Sequence, residues 1–471
     1  MQVFKDSYTK WTRIFFAVMA VFAIVFAYER FQADGAHYLL HVVQSESFRV
    51  EHQRFILIFS QALPWAGAQL GLPLSSIIVL NSINPVVWWL LLFLYATYFL
   101  RDRRAGIGII LTHVLGVLHI QFTPMYEIWY GIPLIILLYS HLRNNRTSKP
   151  LELIFFFGML ITTLFAHPLL PIAVLFVFLY HFAEQKKINW KILIPVVAVA
   201  AGWYITKKLL LTDYEAGKVS LVSGEWEYAS QRLAKPSYYA DLGMFLLTWY
   251  TIPVLLLLWT LLFLGLRKMR MQLILLCAFF FGHLLLINYT HENYHPELTP
   301  YFERMYLPLI PIVLIPFLFT LCREMEMRPG FVLAALFLVV GWRIARFSDV
   351  GMMYRERTAL TMQLIDQAQQ QPGSKFQMAM EDENGCLLWS DWSYAMETVL
   401  RSSALEPFKT VSIVRSDDLS ENDNRSKLRD DEFLFRRWEV MKDDELNASY
   451  FKLEHGRYQL LSPVCNRQPV P

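Results

Sequence analysis

Between residues 12 and 347 the chain alternates apolar runs of membrane-crossing length with short clusters of lysine and arginine. That alternation limits the fold more than any other feature. In hydrocarbon, a run of about 20 apolar residues satisfies its backbone hydrogen bonds only as a helix. The runs fall at about 12–29, 77–100, 105–122, 127–143, 151–166, 169–184, 190–207, 240–266, 271–289, 305–322 and 329–347. The spacing predicts an all-α polytopic membrane protein of about 11 transmembrane helices. Charged residues are only 18% of the chain, against roughly a quarter in soluble domains. The first run is read as an uncleaved span, because Glu29 and Arg30 follow it where a signal peptide would carry small residues.

The basic clusters set the expected orientation. Lys5/Lys10/Arg13, Arg101/Arg103/Arg104, Arg143/Arg146/Lys149, Lys186/Lys187/Lys191, Arg267/Lys268/Arg270 and Arg323/Arg328 fall on one side if the eleven runs span. The positive-inside rule makes that side cytoplasmic. The amino terminus is then inside and the tail outside, on the periplasmic face of an inner membrane or in the ER lumen of a eukaryote. "FILIFSQALPWAGAQLG", residues 55–71, is also apolar, but counting it as a span would put Arg101–Arg104 outside. It is expected to be a juxtamembrane or re-entrant helix. The basic clusters lie between spans, with no basic face interleaved with aromatics, which argues against nucleic acid as a partner.

Two domains follow: a transmembrane domain over 1–347, with outer loops 30–76, 121–127, 208–239 and 288–304, and an extracytoplasmic α+β domain over 348–471. In the tail a helix is expected over 351–370, and "KFQMAM", "TVSIV" and "YQLL" read as strands. Cys386 and Cys465 would both meet an oxidising compartment, which permits a bridge between them. Sequons at Asn288, Asn424 and Asn447 fall on the same outer side.

Four stretches resemble, in order and in side, the C-type glycosyltransferase superfamily of integral-membrane enzymes. They are "QADGAHYLL" with Asp34, the segment from His52-Gln53-Arg54-Phe55 to "FLRDRR", "TPMYEIWYGIPLIILLY" with Glu127, and "FERMYLPLIPIVLIP" with Arg304. The likeness is to the protein mannosyltransferase and aminoarabinose transferase branch, which draws sugar from dolichyl- or undecaprenyl-phosphate. It covers the spans and not the tail. Gly35 stands where the family often has a second acid, and Gln53 where it has proline. The resemblance implies transfer of a sugar from a polyprenyl-phosphate donor, drawn from membrane lipid, to an extracytoplasmic lipid, glycan or protein acceptor.

Such a transfer needs a base for the acceptor and cations for the departing phosphate. Asp34 is the candidate general base, and an N-cap role also suits an acid before a helical run. Glu127 is a candidate second acid. Arg304 breaks the charge rule on the outer side and is the candidate phosphate ligand, with Lys207 and Lys208 in reserve. His37, His52, His295, Tyr301 and Glu303 are expected to line the site, and His167 is expected to be structural. No dedicated cofactor is expected. Asp34 and Glu127 together would suit Mg or Mn, although no metal-ligand spacing occurs. The competing expectations are an inactive relative acting as a scaffold among partner subunits, and a transporter of lipid-linked glycan.

Overall fold

The computed structural model describes residues 2–144, 149–187, 189–213, 215–217, 226–290, 299–325, 329–378, 392–406, 409–420, 428–436 and 438–461. Among the described residues the chain is mostly helical, with two small sheets near its carboxyl end. Helix α1 (Gln2–Val25) leads through a 3₁₀ turn, Tyr28–Arg30, to α2 (Asp34–Ser45). Two short helices, α3 (Leu57–Ser60) and α4 (Ala62–Gln69), fold against α5 (Leu74–Leu94). Residues 55–71 therefore form a broken pair of helices and not one straight span. Asn84 of α5 ties them down, donating to the carbonyls of Phe59 and Ser60 at 2.8 Å.

The rest of the bundle comprises α6 (Arg103–Val114), α7 (Glu127–Arg143), α8 (Pro150–Ala166), α9 (Leu170–Gln185), α10 (Trp190–Leu209), α11 (Trp226–Leu233), α12 (Pro236–Trp249), α13 (Thr251–Leu266), α14 (Arg270–Thr290), α15 (Thr299–Tyr306) and α16 (Leu309–Ile315). Helix α7 lies at the centre and is buried throughout 127–142. It is apolar on every side, as a helix surrounded by others must be, and packs against α5, α6, α8, α9 and α16. Among the described residues five stretches are long and apolar enough to cross a membrane: Tyr8–Val25, Leu74–Phe99, Trp190–Leu209, Arg270–Tyr289 and Tyr301–Glu324. Helices α12 and α13 pass the same test together but meet at 99°. Pro253 in the first turn of α13 lacks the N–H that a continuous helix would use.

Two expected helices differ from the sequence reading. The run 105–122 stops being helical at Val114. Gly116 takes φ +69°, and a Cβ there would come within 2.8 Å of Ile310. The freed backbone is satisfied by buried charges. Arg343 donates to the carbonyls of Val114 (2.9 Å) and Val117, and Glu303 accepts from the amides of Leu118, His119 and Ile120. The second difference is α17 (Pro329–Gln369), one helix of 41 residues that runs unbroken through 347–351. It joins the expected last span to the expected first helix of the tail.

The two ends of the bundle differ in chemistry. At one end Asp102 caps α6 through the amides of Arg104 and Ala105, and its other oxygen accepts from Ser140 and Asn144. Arg323 pairs with Glu184 at 2.9 Å nearby, and Arg101, Lys186 and Lys268 end their helices in the left-handed conformation. The opposite end carries α2 and the tail. There β1 (Lys375–Met378) lies between β2 (Ser412–Arg415) and β5 (Gln459–Leu460), parallel to both, and pairs Phe376 with Ile413 and with Gln459. Helix α18 (Tyr394–Leu405) packs against β2, and β3 (Glu432–Arg436) and β4 (Glu439–Lys442) form an antiparallel hairpin. One apolar core joins Phe31, Leu39 and Leu40 beside α2 to Met396, Val399, Leu400, Phe433 and Phe435 of the tail. Cys386 and Cys465 lie outside the described residues.

Candidate functional site

Asp34 opens the first turn of α2, and Arg304 lies on α15. Their separation of 270 residues closes to an ion pair, with Arg304 Nη1 donating to Asp34 Oδ2 at 3.2 Å. The guanidinium lies over the ring of Tyr126 at 4.0 Å and faces Tyr301 at 5.3 Å. Asp34 stays 30% exposed and Arg304 23%, so the pair is open to a ligand. The residue at the N-cap position is Ala33, which has no side chain to cap with. Asp34 follows it, where the helix dipole favours an acid.

A second cluster lies alongside. Arg54 Nη1 donates to Glu127 Oε1 at 2.8 Å, and its Nη2 stands 3.8 Å from Glu215. Lys207, at the end of α10, donates to Glu215 at 3.0 Å, to the His52 carbonyl at 2.6 Å and to Gln53 Oε1 at 3.2 Å. His52 Nδ1 meets Thr212 Oγ1 at 2.9 Å. Across the two clusters three cations, Arg54, Lys207 and Arg304, face three carboxylates, Glu127, Glu215 and Asp34. Glu127 lies within electrostatic reach of Arg304, which joins the two groups. Burial opposes the charge of Arg54, but Glu127 and Glu215 outweigh it and hold the guanidinium protonated. His167, in the turn between α8 and α9, accepts at Nδ1 from the Leu169 amide, which leaves the proton on Nε2. Burial, then Arg54, Arg304 and Lys207, push this imidazole down and keep it neutral.

The backbone around the site is strained. Ala33, His52 and Gln53 all take positive φ, at 49°, 51° and 55°, a conformation that non-glycine residues hold only where surrounding contacts enforce it. Two donors are also unused: the buried Nε of Arg54 and of Arg304 each lack a hydrogen-bond acceptor.

The structure brings Asp34, Glu127, Arg304, Tyr301, His52 and Lys207 to this end of the bundle. Lys208 is exposed on the other face of the last turn of α10. His37 lies one turn beyond Asp34 but hydrogen-bonds Glu51 at 3.3 Å, and His41 packs edge-on against His37. Glu303 is corrected from a wall residue to an interior one: its carboxylate is spent on the backbone of 118–120. His295 lies outside the described residues. Arg54, Glu215 and Tyr126 were not singled out in the sequence, and His167, expected to be structural, accepts from the Leu169 amide. Arg54 carried the same signal as Arg304, a cation on the side expected to be poor in them. Asp34 and Glu127 each hold a guanidinium, which a divalent ion would have to displace. Among the described residues no group of three His, Cys, Asp or Glu side chains is arranged to hold a metal. Asn288 is buried and accepts from the hydroxyls of Tyr238 and Tyr306 at 2.6 and 3.0 Å, which closes that sequon to modification. Comparison with protein-family models, characterised proteins and solved structures gives no significant match.

Proposed function

We propose that the chain is an eleven-pass membrane glycosyltransferase that moves a sugar from a polyprenyl-phosphate donor to an acceptor on the extracytoplasmic side. The observation that carries this reading is the convergence of two partly exposed guanidinium groups, Arg304 paired with Asp34 and Arg54 paired with Glu127. They lie beside a half-exposed aspartate at the less basic end of a membrane bundle. Arginine is the side chain that best matches phosphate geometry, and both guanidinium groups face this end of the bundle.

The geometry suggests how donor and acceptor steps connect. In the ion pair with Arg304, one Asp34 oxygen is occupied by the guanidinium. Arrival of the carrier phosphate draws Arg304 away. Asp34, released, takes the proton of the acceptor hydroxyl as the hydroxyl oxygen attacks the anomeric carbon. The bond from that carbon to the phosphate oxygen breaks, and the phosphate leaves with the added charge held by Arg304 and Arg54. Lys207 and Glu215 steady the 52–54 segment that carries Arg54. The reaction needs no dedicated cofactor.

The test is native mass spectrometry of the full chain in nanodiscs with undecaprenyl phosphate. Wild type should retain the lipid, R54M and R304M should lose it, and D34N should retain it without supporting transfer. Equal retention by wild type and both arginine variants would overturn the assignment.

A further inference from the structure

Beyond Asp34 along α2, the tail presents an aromatic face that the transfer chemistry does not use. Trp392 and Trp438 stack with ring centroids 5.6 Å apart and planes 27° apart. Trp438 stands in the turn between β3 and β4 and is 58% exposed. Trp392 packs on His37 at 5.4 Å, and His37 lies three residues from Asp34, about one helical turn. We propose that Trp392 and Trp438 form a stacking platform for a carbohydrate acceptor, which hands a hydroxyl to Asp34. This inference rests on the transferase reading for the destination of the sugar, but not for its binding.

The rim of the platform favours a sugar over other occupants. A pyranose has an apolar C–H face and hydroxyls that both donate and accept, so it needs an indole surface bordered by donors and acceptors. Arg436 supplies donors at the base of the turn, paired with Glu439 at 2.9 Å and with Glu51 at 3.6 Å. Arg49 also pairs with Glu51, at 3.2 Å, and is half-exposed. Glu51 and Glu439 are the acceptors. A tryptophan that anchors in lipid headgroups is normally accompanied by cations alone, because anionic lipid attracts lysine and arginine and repels acids. Here both signs are interleaved. Tryptophan also suits a docking surface because it has large area, few rotamers and one polar edge.

The proposal is tested with the full chain in nanodiscs by saturation-transfer NMR against soluble di- and trisaccharides built from hexose, N-acetylhexosamine and deoxyhexose. Wild type should transfer saturation to the ring C–H protons of at least one sugar. W438A and W392A should weaken its binding by about fivefold, the worth of one aromatic contact. Circular dichroism and thermal midpoint establish that each variant is folded. No transfer in wild type, or equal transfer in W438A, overturns the platform. So does quenching of wild type by headgroup-brominated lipid that W438A loses, which marks a membrane anchor. Undecaprenyl phosphate retention separates the two claims: sugar binding without carrier binding keeps the platform and removes the transferase.

Discussion

Glu303 offers the sharpest test of how the site is held. Its Oε2 accepts three backbone amides, from Leu118 at 3.0 Å, His119 at 2.9 Å and Ile120 at 3.3 Å, and the side chain is 1% exposed. In Glu303→Ala those amides lose their acceptor inside the bundle, and Arg343 loses a nearby counter-charge. An orphaned buried donor costs about 1–3 kcal/mol, so the three amides amount to roughly 3–6 kcal/mol after some relaxation. Glu303→Gln keeps a carbonyl oxygen in place and loses only the charge assistance, worth about 1 kcal/mol per bond, for a total of about 2–3 kcal/mol. The order wild type, Gln, Ala should therefore appear in the half-life of the folded protein in detergent at a fixed elevated temperature. Arg304 is the next residue, so the same variants should lose undecaprenyl phosphate in the same order. Stability of Glu303→Ala equal to wild type, or a Gln variant worse than Ala, would refute the view that this carboxylate holds the 118–120 segment and, through it, Arg304.

Three further outcomes are expected. Asp34→Asn should abolish sugar transfer, by a factor of about 10²–10⁴ for a lost general base, yet shift thermal stability little, since a partly exposed pair is worth about 1 kcal/mol or less; a parallel loss of folding would mark Asp34 as structural. Glu397 is wholly buried and accepts from Arg357 at 2.6 and 2.7 Å and from Arg401 at 2.8 Å. Glu397→Leu, which leaves two buried cations, should cost about 3–5 kcal/mol, read as faster proteolysis of the tail, while replacing all three charges by apolar residues should recover most of it. Burial opposes the charge of Glu397, but the two arginines outweigh it and hold the carboxyl below its ordinary value of 4.5. This contribution is present above 4.5 and is lost as pH falls through the lower folded value. His41 is held down to about 3 from 6.5, by burial first and then by His37, Arg49 and Arg436, with Glu51 opposing. Folding binds fewer protons here than the unfolded chain does. The contact between α2 and the β3–β4 hairpin should therefore weaken as pH drops from 6.5 toward 3, seen as faster amide exchange in 432–442, and His41→Gln should remove that dependence.

Much of the site was legible because lipid makes charge informative. Arg304 and Asp34 stood out as an unexpected cation and an isolated acid on the side where the charge rule wants few cations, and they pair in the folded chain. Arg54 had the same signature and was hidden within an apolar-looking segment. Glu215 lay in a polar loop where an acid carries no positional signal. The break at Val114 was illegible for another reason. Gly116 is one glycine in an apolar run, and what makes the break tolerable is contributed by Glu303 and Arg343, which are 187 and 227 residues further on. The sequence reading divided helix α17 at Ser348-Asp349-Val350 because the composition turns polar there. The backbone continues, since Gly351 is where the helix approaches Phe26 and Phe122 too closely for any side chain.

Helix α17 fixes a rotational phase as well as a distance. Arg343 is tied to the broken end of α6, and Arg357, fourteen residues later, is tied to Glu397 beneath the tail. Inserting a single residue between them would advance everything beyond by about 1.5 Å and turn it by roughly 100° about the helix axis. Arg357 would then point away from Glu397, and the tail could not seat on α2 while Arg343 kept its hold. The interval from Arg343 to Arg357 therefore works as an indexing pin. Its length is under constraint even at positions where the identity of the side chain is not, and a change of one residue there should be as damaging as the loss of a buried charge.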